Sequence, residues 1–180
     1  MRKQLTVIIL VEFLTSLALG ILGPFYAVYV DQITGNPLII GYSYALYSIT
    51  IGLLSPFFGR ISDKYSKKIL LVTSAVFIIT ASIGYALATN VATLLLVEFF
   101  SGVATAAFSP VYKTIIAELT TKNNRATEYG LLESVSSITY GLGTLAGTFL
   151  IAIFGIKLVF LLSGFFQLAT ALIMVRSDKE

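Results

Sequence analysis

Six long apolar stretches follow one another along this chain of 180 residues. Each has about 18–26 residues, enough for a helix to cross a hydrocarbon core of about 30 Å. Because lipid offers no partners to backbone N–H and C=O groups, such stretches fold as helices. The sequence therefore predicts an all-α membrane protein whose spans lie approximately at Leu5–Val30, Leu38–Phe58, Ile69–Leu87, Val91–Ile116, Tyr129–Phe154 and Leu158–Val175.

The composition also indicates lipid as the solvent. Hydrophobic residues make up 57% of the chain and charged residues 12%, about half the charged fraction of an ordinary soluble domain. The chain has no cysteine and no histidine, which excludes disulfides, thiolate nucleophiles, Cys/His zinc sites and a histidine base. We therefore expect no enzymatic activity, no metal and no cofactor. The tyrosines and phenylalanines are expected mostly at lipid-facing or interfacial positions.

The basic residues are distributed unevenly between the two sides of the predicted bundle. Lys157 is the one basic residue on the side away from the termini. By the positive-inside rule, both termini are expected in the cytoplasm, with the spans in a plasma or inner membrane. Topology alone accounts for the pI of 9.1, so no nucleic-acid partner is expected. The residues on the terminal side are Arg2, Lys3, Arg60, Lys64, Lys67, Lys68, Lys113, Lys122, Arg125, Arg176 and Lys179.

The segment 10–34 recurs without a gap 86 positions later, and both copies begin with LVEF. Pro24 then matches Pro110, and Tyr26 matches Tyr112. After three additional loop residues the match continues, with SITIGL in span 2 against SITYGL in span 5. Because each copy holds three spans, the second enters the membrane from the opposite side, which makes an inverted repeat. We predict one six-span domain, residues 1–180, with repeats at about 5–88 and 91–175, and bends at both prolines.

The loop between spans 2 and 3 reads GRISDKYSKKILL. It resembles the signature loop of the major facilitator superfamily, although Ser66 replaces a glycine of that pattern. IIAELTTKNNRATEYG resembles the family's loop after span 4, in which an acidic residue ends the helix and a basic one follows. The resemblance implies a cytoplasmic gate, with Asp63 capping or pairing at the end of the bundle and Lys67 pairing with Glu118. The gate residues are Gly59, Asp63, Lys64, Lys67, Lys68, Glu118 and Arg125.

The resemblance covers the whole chain, which corresponds to one six-span half of a usual twelve-span member. Glu98 stands where the family often has an arginine in span 4. Leu142 stands where its antiporters often have a proline in span 5, which weighs against assignment as a multidrug antiporter.

Glutamates inside spans 1 and 4 are the candidate functional residues. A carboxylate in hydrocarbon costs about 2.5–3.5 kcal/mol or more, so two of them indicate a use. Each begins a stripe along one helix face, and the resemblance implies that both stripes face a central cavity. Since desolvation favours a neutral carboxyl, each glutamate is a candidate proton carrier; the alternative is a structural residue that ties helices together. The candidate substrate or proton cavity residues are Glu12, Ser16, Tyr26, Glu98, Thr105, Ser109 and Tyr112.

Small residues form a second kind of stripe on spans 2 and 5. Such stripes let helices approach closely in lipid, either within the unit or between units. In the family these spans contact the opposite half, so we expect a homodimer or a second six-span half as partner. The candidate interface residues are Gly41, Ser48, Gly52, Ser137 and Gly141.

The sequence is thus interpreted as a secondary transporter unit working by alternating access, driven by a proton gradient, with an unidentified small-molecule substrate. The alternative is a fragment or non-transporting membrane subunit that is inactive alone.

Overall fold

Within residues 3–65, 67–120 and 124–177, which the computed structural model describes, the chain forms six long helical rods. Arg2, Ser66, Lys122 and Lys179 lie outside these residues. The first rod consists of α1, a 3₁₀ turn and α2, and each other rod is one helix. All six are long and apolar enough to cross a membrane, which confirms the predicted all-α fold. The helices are α1 Lys3–Leu22, α2 Tyr26–Thr34, α3 Leu38–Lys64, α4 Lys67–Leu87, α5 Val91–Leu119, α6 Arg125–Phe154 and α7 Ile156–Ser177.

The two repeat-related prolines differ in local structure. Pro24 lies in the 3₁₀ turn Gly23–Phe25 that separates α1 from α2. This is the local break expected where proline removes a backbone N–H from a helix. Pro110 lies inside α5, which continues through it from Val91 to Leu119. The helix of the first span is therefore interrupted at its proline, whereas the helix of the fourth span is unbroken and the bend predicted there stays a prediction.

The packing leaves α3 and α6 on the flanks of the bundle. Helix α1 packs against α6 and α7, α5 packs against α3 and α4, and α4 packs against α7. In their most apolar stretches, α3 and α6 bury 11% and 17% of their residues, whereas each of the other spans buries at least 33%. Each flanking helix therefore has an extended face without a protein neighbour in this unit.

Glycines mark the close approach of the flanking helices. A Cβ added at Gly143 of α6 would lie 2.9 Å from the Leu17 carbonyl oxygen of α1. A Cβ at Gly102 of α5 would lie 2.8 Å from the Thr50 Cβ of α3. Larger residues at either position would push the helices apart, so these glycines set the α1–α6 and α5–α3 distances.

Buried apolar residues form one cluster toward the end away from the termini and two toward the end with the termini. Near the end away from the termini, the rings of Tyr29, Tyr85 and Phe160 pack together and are at most 7% exposed. At the end with the termini, Val11, Leu71 and Met174 belong to the second cluster. The expectation that aromatic residues lie at lipid-facing or interfacial positions is therefore wrong for these three rings. Their sizes and mutual contacts make them the core of one end.

Candidate functional site

Glu98 lies two turns into α5 and is 4% exposed. Its Oε1 accepts a hydrogen bond from the Tyr26 hydroxyl of α2 and a 2.7 Å hydrogen bond from the Tyr85 hydroxyl of α4. The Ser43 hydroxyl is fully buried beside Tyr26. Two phenol donors on one oxygen hold the Glu98 carboxylate in place and partly compensate its removal from water.

A cavity of about 230 Å³ adjoins the Glu98 carboxylate. Thr105 lines it and forms a 3.1 Å hydrogen bond with the hydroxyl of Tyr47, which also lines it. Leu19 and Tyr44 are about half exposed and also line the cavity, so it opens at the bundle surface near them. The inner wall is partly polar, with Ser82, Ser101, Ser163 and Gln167.

Glu12 lies near the other end of the bundle, toward the termini. Its Oε2 accepts a hydrogen bond from the Tyr112 hydroxyl of α5, and its Oε1 accepts one of 3.4 Å from Ser16. Ser16 also forms a 2.8 Å hydrogen bond with Ser136 of α6. Glu12 is only half-buried, and Glu133 lies close enough for its charge to act on Glu12. The Glu12 carboxylate is therefore more exposed than the Glu98 carboxylate and has a second acidic side chain nearby.

The two glutamates and two tyrosines exchange partners between the repeats. Tyr26 belongs to the first repeat and contacts Glu98 of the second, whereas Tyr112 belongs to the second and contacts Glu12 of the first. An inverted repeat predicts such an exchange, because its symmetry carries one pair onto the other. The predicted cavity residues thus fall into two clusters, and the half-buried Ser109 lies between them on α5.

The charged residues of the predicted gate lie at the end of the bundle that holds the termini. Lys67, which begins α4, forms an ion pair with Glu118 in the last turn of α5, which confirms that predicted contact. Arg125, which begins α6, donates a 3.4 Å hydrogen bond to the Ala117 carbonyl oxygen of α5. Asp63 is exposed in the last turn of α3, and its role stays a prediction. Gly59, Lys64 and Lys68 lie on the same α3–α4 corner.

The predicted small-residue stripes lie on the exposed faces of α3 and α6. Gly41, Gly52 and Gly141 are exposed, and a Cβ added to any of them would meet no atom within 4 Å. Ser48 and Ser137 are exposed on the same helices. These five positions do not pack against other helices of this unit, so they are available for contact between units.

Several site residues were not predicted from the sequence. Tyr85, Tyr47 and Ser136 complete the hydrogen bonds of the two clusters, and Gln167 lines the cavity and donates to Ser163. A signal existed for Gln167, because an amide inside an apolar span is uncommon and faces the bundle interior. Tyr85 had no such signal, since tyrosines near the end of a span are expected at the membrane interface.

The sequence of this chain is similar to those of known membrane transporters. A model of the Major Facilitator Superfamily matches residues 8–180. An uncharacterized MFS-type transporter of Methanocaldococcus jannaschii is 27% identical over 173 residues, which cover 96% of this chain and 45% of the relative.

Two bacterial relatives have functional names. Multidrug resistance protein 1 of Bacillus subtilis is 24% identical, with 99% of this chain and 46% of the relative covered. The multi-drug resistance efflux pump PmrA of Streptococcus pneumoniae is 27% identical, with 94% and 43% covered. The chain thus spans slightly less than half the length of these relatives.

Proposed function

Because the chain belongs to the Major Facilitator Superfamily, we propose that it is a secondary active transporter unit that works by alternating access and is driven by protons. One observation carries the proposal: Glu12 and Glu98 are each hydrogen-bonded to the tyrosine of the opposite repeat. Intramembrane carboxylates that face a bundle interior or a cavity are characteristic of ion and proton pathways. The carboxylates lie toward opposite ends of the bundle, so one is nearer to each aqueous side.

The Lys67–Glu118 ion pair links two helices at one end of the bundle. It joins the start of α4 to the end of α5, at the end with the termini. We propose that this end is cytoplasmic and that the pair, together with Asp63, stabilises the outward-facing state. A contact present in only one state shifts the equilibrium toward that state, as alternating access requires.

A second six-helix unit is proposed as the partner of this one. The faces of α3 and α6 combine exposed small residues with exposed Leu53, Phe57, Leu145 and Phe149. Two copies whose termini lie on the same side can pair about an axis along the membrane normal, as the halves of twelve-span members do. The partner is either a second copy of this chain or a separate six-helix half, and the transport cycle is movement of one unit against the other.

The substrate class follows from the relatives only by analogy. Two of them are named for resistance to several drugs, so we propose small organic molecules as substrates. The absence of the span 5 antiporter proline weighs against proton-coupled export by the route that those antiporters use. Proton-coupled uptake remains the competing direction of transport.

Proton movement in sealed vesicles tests the proposed function, and the assay works with a panel of candidate substrates. The purified chain is reconstituted, a pH gradient is imposed, and its collapse is followed with a pH-sensitive dye as single compounds are added, ethidium among them. We expect at least one compound to accelerate the collapse in vesicles with the chain and not in empty vesicles. If no compound does so and none accumulates against a gradient, the alternative applies, in which the chain is inactive alone.

A further inference from the structure

Pro24 leaves one carbonyl oxygen of α1 without its helical donor. In an uninterrupted helix the Gly20 oxygen would accept a hydrogen bond from the N–H of residue 24. Residue 24 is proline, which has no N–H, and the chain forms the 3₁₀ turn Gly23–Phe25 there. Gly20 is buried in the bundle. Because a buried carbonyl oxygen without a donor destabilises a helix in lipid, another group has to supply the hydrogen.

The hydroxyl of Thr144 on α6 supplies this hydrogen. Its Oγ1 lies 3.2 Å from the Gly20 oxygen of α1 and 3.0 Å from the Tyr140 oxygen of its own helix. The Tyr140 oxygen already accepts the backbone N–H of Thr144, because α6 is one continuous helix. The Gly20 oxygen has lost its backbone donor, so the hydroxyl proton stabilises the structure most when it points toward Gly20.

Helix α6 also contacts the turn itself. A Cβ added at Gly147 of α6 would lie 2.5 Å from the Ile21 oxygen and 3.1 Å from the Phe25 ring. A Cβ added at Gly23 of the turn would lie 3.0 Å from the Tyr140 hydroxyl of α6. The end of α1 and the turn that follows it are therefore both held against α6.

Tyr26 follows this turn directly and is the first residue of α2. Its hydroxyl donates a hydrogen bond to Glu98 on α5. The direction in which the chain leaves the turn therefore decides whether the Tyr26 hydroxyl reaches Glu98. Thr144 does not bond Tyr26 or Glu98, so its effect on their contact passes through the turn.

We propose that Thr144 is a positioning residue for the Glu98 site. By replacing the hydrogen bond that Pro24 removes, it fixes the turn and holds the Tyr26 hydroxyl against the Glu98 carboxylate. This positioning is a property of one folded unit and can be measured without transport. Its consequence for proton coupling rests on the transport function proposed above.

Three substitutions on α6 test the role of the hydroxyl. Thr144→Val keeps the shape of the side chain and removes its hydroxyl, whereas Thr144→Ser retains the hydroxyl. Thr148→Val is the matched control, because the Thr148 hydroxyl donates a 2.9 Å hydrogen bond to the Thr144 oxygen of its own helix. The control therefore removes the same chemical group from the same helix without affecting the bond to α1.

Infrared spectroscopy of the purified chain in detergent reports the hydrogen bonds that Glu98 accepts. The carboxyl band of Glu98 is identified by its loss in Glu98→Gln. We expect Thr144→Val to shift this band in the same direction as Tyr26→Phe, and Thr144→Ser and Thr148→Val to leave it in place. An unchanged band in a folded Thr144→Val chain would overturn the proposal. An equal shift in Thr148→Val would also overturn it, because the effect would then belong to any hydroxyl lost from α6.

Pro24→Ala separates the hydrogen bond of Thr144 from its packing. Alanine restores an N–H at position 24, so α1 can satisfy the Gly20 oxygen itself. In SDS mixed micelles, we expect Thr144→Val to raise the unfolding equilibrium constant about threefold in the parent chain and to leave it unchanged in the Pro24→Ala chain. An equal effect in both chains would contradict the proposal. If Thr144→Val alone does not fold, recovery of folding on adding Pro24→Ala supports the hydrogen bond, and failure of both chains overturns it.

Transport assays on the same preparations separate this proposal from the transport function. A shifted Glu98 band together with loss of accumulation against a gradient supports both proposals. A shifted band in a chain whose parent form moves no compound supports the positioning role and contradicts the transport function. An unshifted band in a Thr144→Val chain that still accumulates substrate overturns the positioning role and leaves the transport function standing.

Discussion

The Glu98 and Glu12 sites occupy matching positions in the two repeats, but their surroundings differ. Glu98 is 4% exposed and accepts hydrogen bonds from two tyrosines on two other helices. Glu12 is half-buried and accepts one hydrogen bond from a tyrosine and a long one from Ser16 on its own helix. The Glu98 carboxylate is therefore buried and held by tyrosines from two other helices, whereas the Glu12 carboxylate is more exposed and lies nearer the end with the termini.

Different residues at two equivalent positions of the repeats explain this difference. In the register of the repeat, Tyr85 of the first copy corresponds to Met174 of the second, so Glu12 lacks the second phenol donor. Ser16 corresponds to Gly102, which lets Thr50 and the Tyr47 backbone approach α5. Each site thus has one Glu–Tyr contact between the repeats, and the residues around that contact differ.

The largest expected effect is the loss of coupled transport on neutralising either glutamate. We predict that Glu12→Gln and Glu98→Gln each abolish accumulation against a gradient and retain substrate exchange, because a glutamine cannot carry a proton. Accumulation and exchange are measured in the same vesicle preparation, with Asp31→Asn as an exposed carboxylate control. If only one variant loses accumulation, the other glutamate is structural; if both still concentrate substrate, neither is a proton carrier.

The second prediction extends the comparison to the repeat-related glycines on the flanking helices. Gly52→Leu and Gly141→Leu add side chains where a Cβ meets no atom within 4 Å. Each unit should therefore keep its stability while losing its partner and its transport. Cross-linking in bilayers gives the oligomeric state, and thermal unfolding in detergent gives the stability.

Gly102→Leu and Gly143→Leu are the matched controls for this effect. Their Cβ atoms meet Thr50 at 2.8 Å and Leu17 at 2.9 Å, so they should destabilise the unit itself. A wild-type chain that transports as a monomer in bilayers at high protein density would contradict the proposed pairing. Equal destabilisation by all four substitutions would show that the exposed faces already have an internal role.

The fold was predictable because its determinants are local in the sequence. Six apolar runs fix six helices, and their boundaries agree with the structure to within about four residues except at the end of α3, which continues from the predicted Phe58 to Lys64. Lys67–Glu118 could be predicted because the loop pattern that carries it is specific. The 3₁₀ turn at Pro24 and the continuous helix at Pro110 could not be distinguished, since the same residue type occurs in both registers.

The candidate site was only partly predictable, for a geometric reason. The repeat identified Glu12, Glu98, Tyr26 and Tyr112, but a stripe on one helix does not say which helix faces it. Tyr26 lies on the same rod as Glu12 and contacts Glu98 across the bundle. Tyr85 was not predicted because its role depends on the hydrogen bond to Glu98, and the sequence does not show that these two helices face each other there.

The third prediction compares how much each Glu–Tyr hydrogen bond contributes to the free energy of unfolding. Tyr26→Phe removes a donor from a buried carboxylate and should lower the free energy of unfolding by about 1.5–3 kcal/mol. Tyr112→Phe acts at a half-buried carboxylate that water can reach and should cost about 0.6 kcal/mol, the usual value for a hydrogen bond in a membrane bundle. Denaturation with SDS in mixed micelles gives both values. Equal losses in the free energy of unfolding would mean that the two carboxylates are equally shielded from water.

The smallest expected effect on stability concerns the Lys67–Glu118 ion pair. Its side chains are 24% and 56% exposed, so Lys67→Gln should lower the free energy of unfolding by less than about 1 kcal/mol. We propose that the pair forms in the outward-facing state alone, in which case a loss of about 1 kcal/mol changes the ratio of the two states about fivefold. We therefore expect Lys67→Gln and Asp63→Asn to shift the population toward the inward-facing state with little loss of stability.

Cysteine labelling reads this shift directly, because the natural chain has no cysteine. A single Ser109→Cys reporter lies half-buried on α5 between the two glutamate sites. Maleimide added from the side of the termini should label it faster when Lys67→Gln or Asp63→Asn is present, and high salt should accelerate labelling of the reporter chain alone by screening the exposed pair. Equal labelling rates in all three chains would show that the charges at this end orient the chain in the membrane and do not hold a gate.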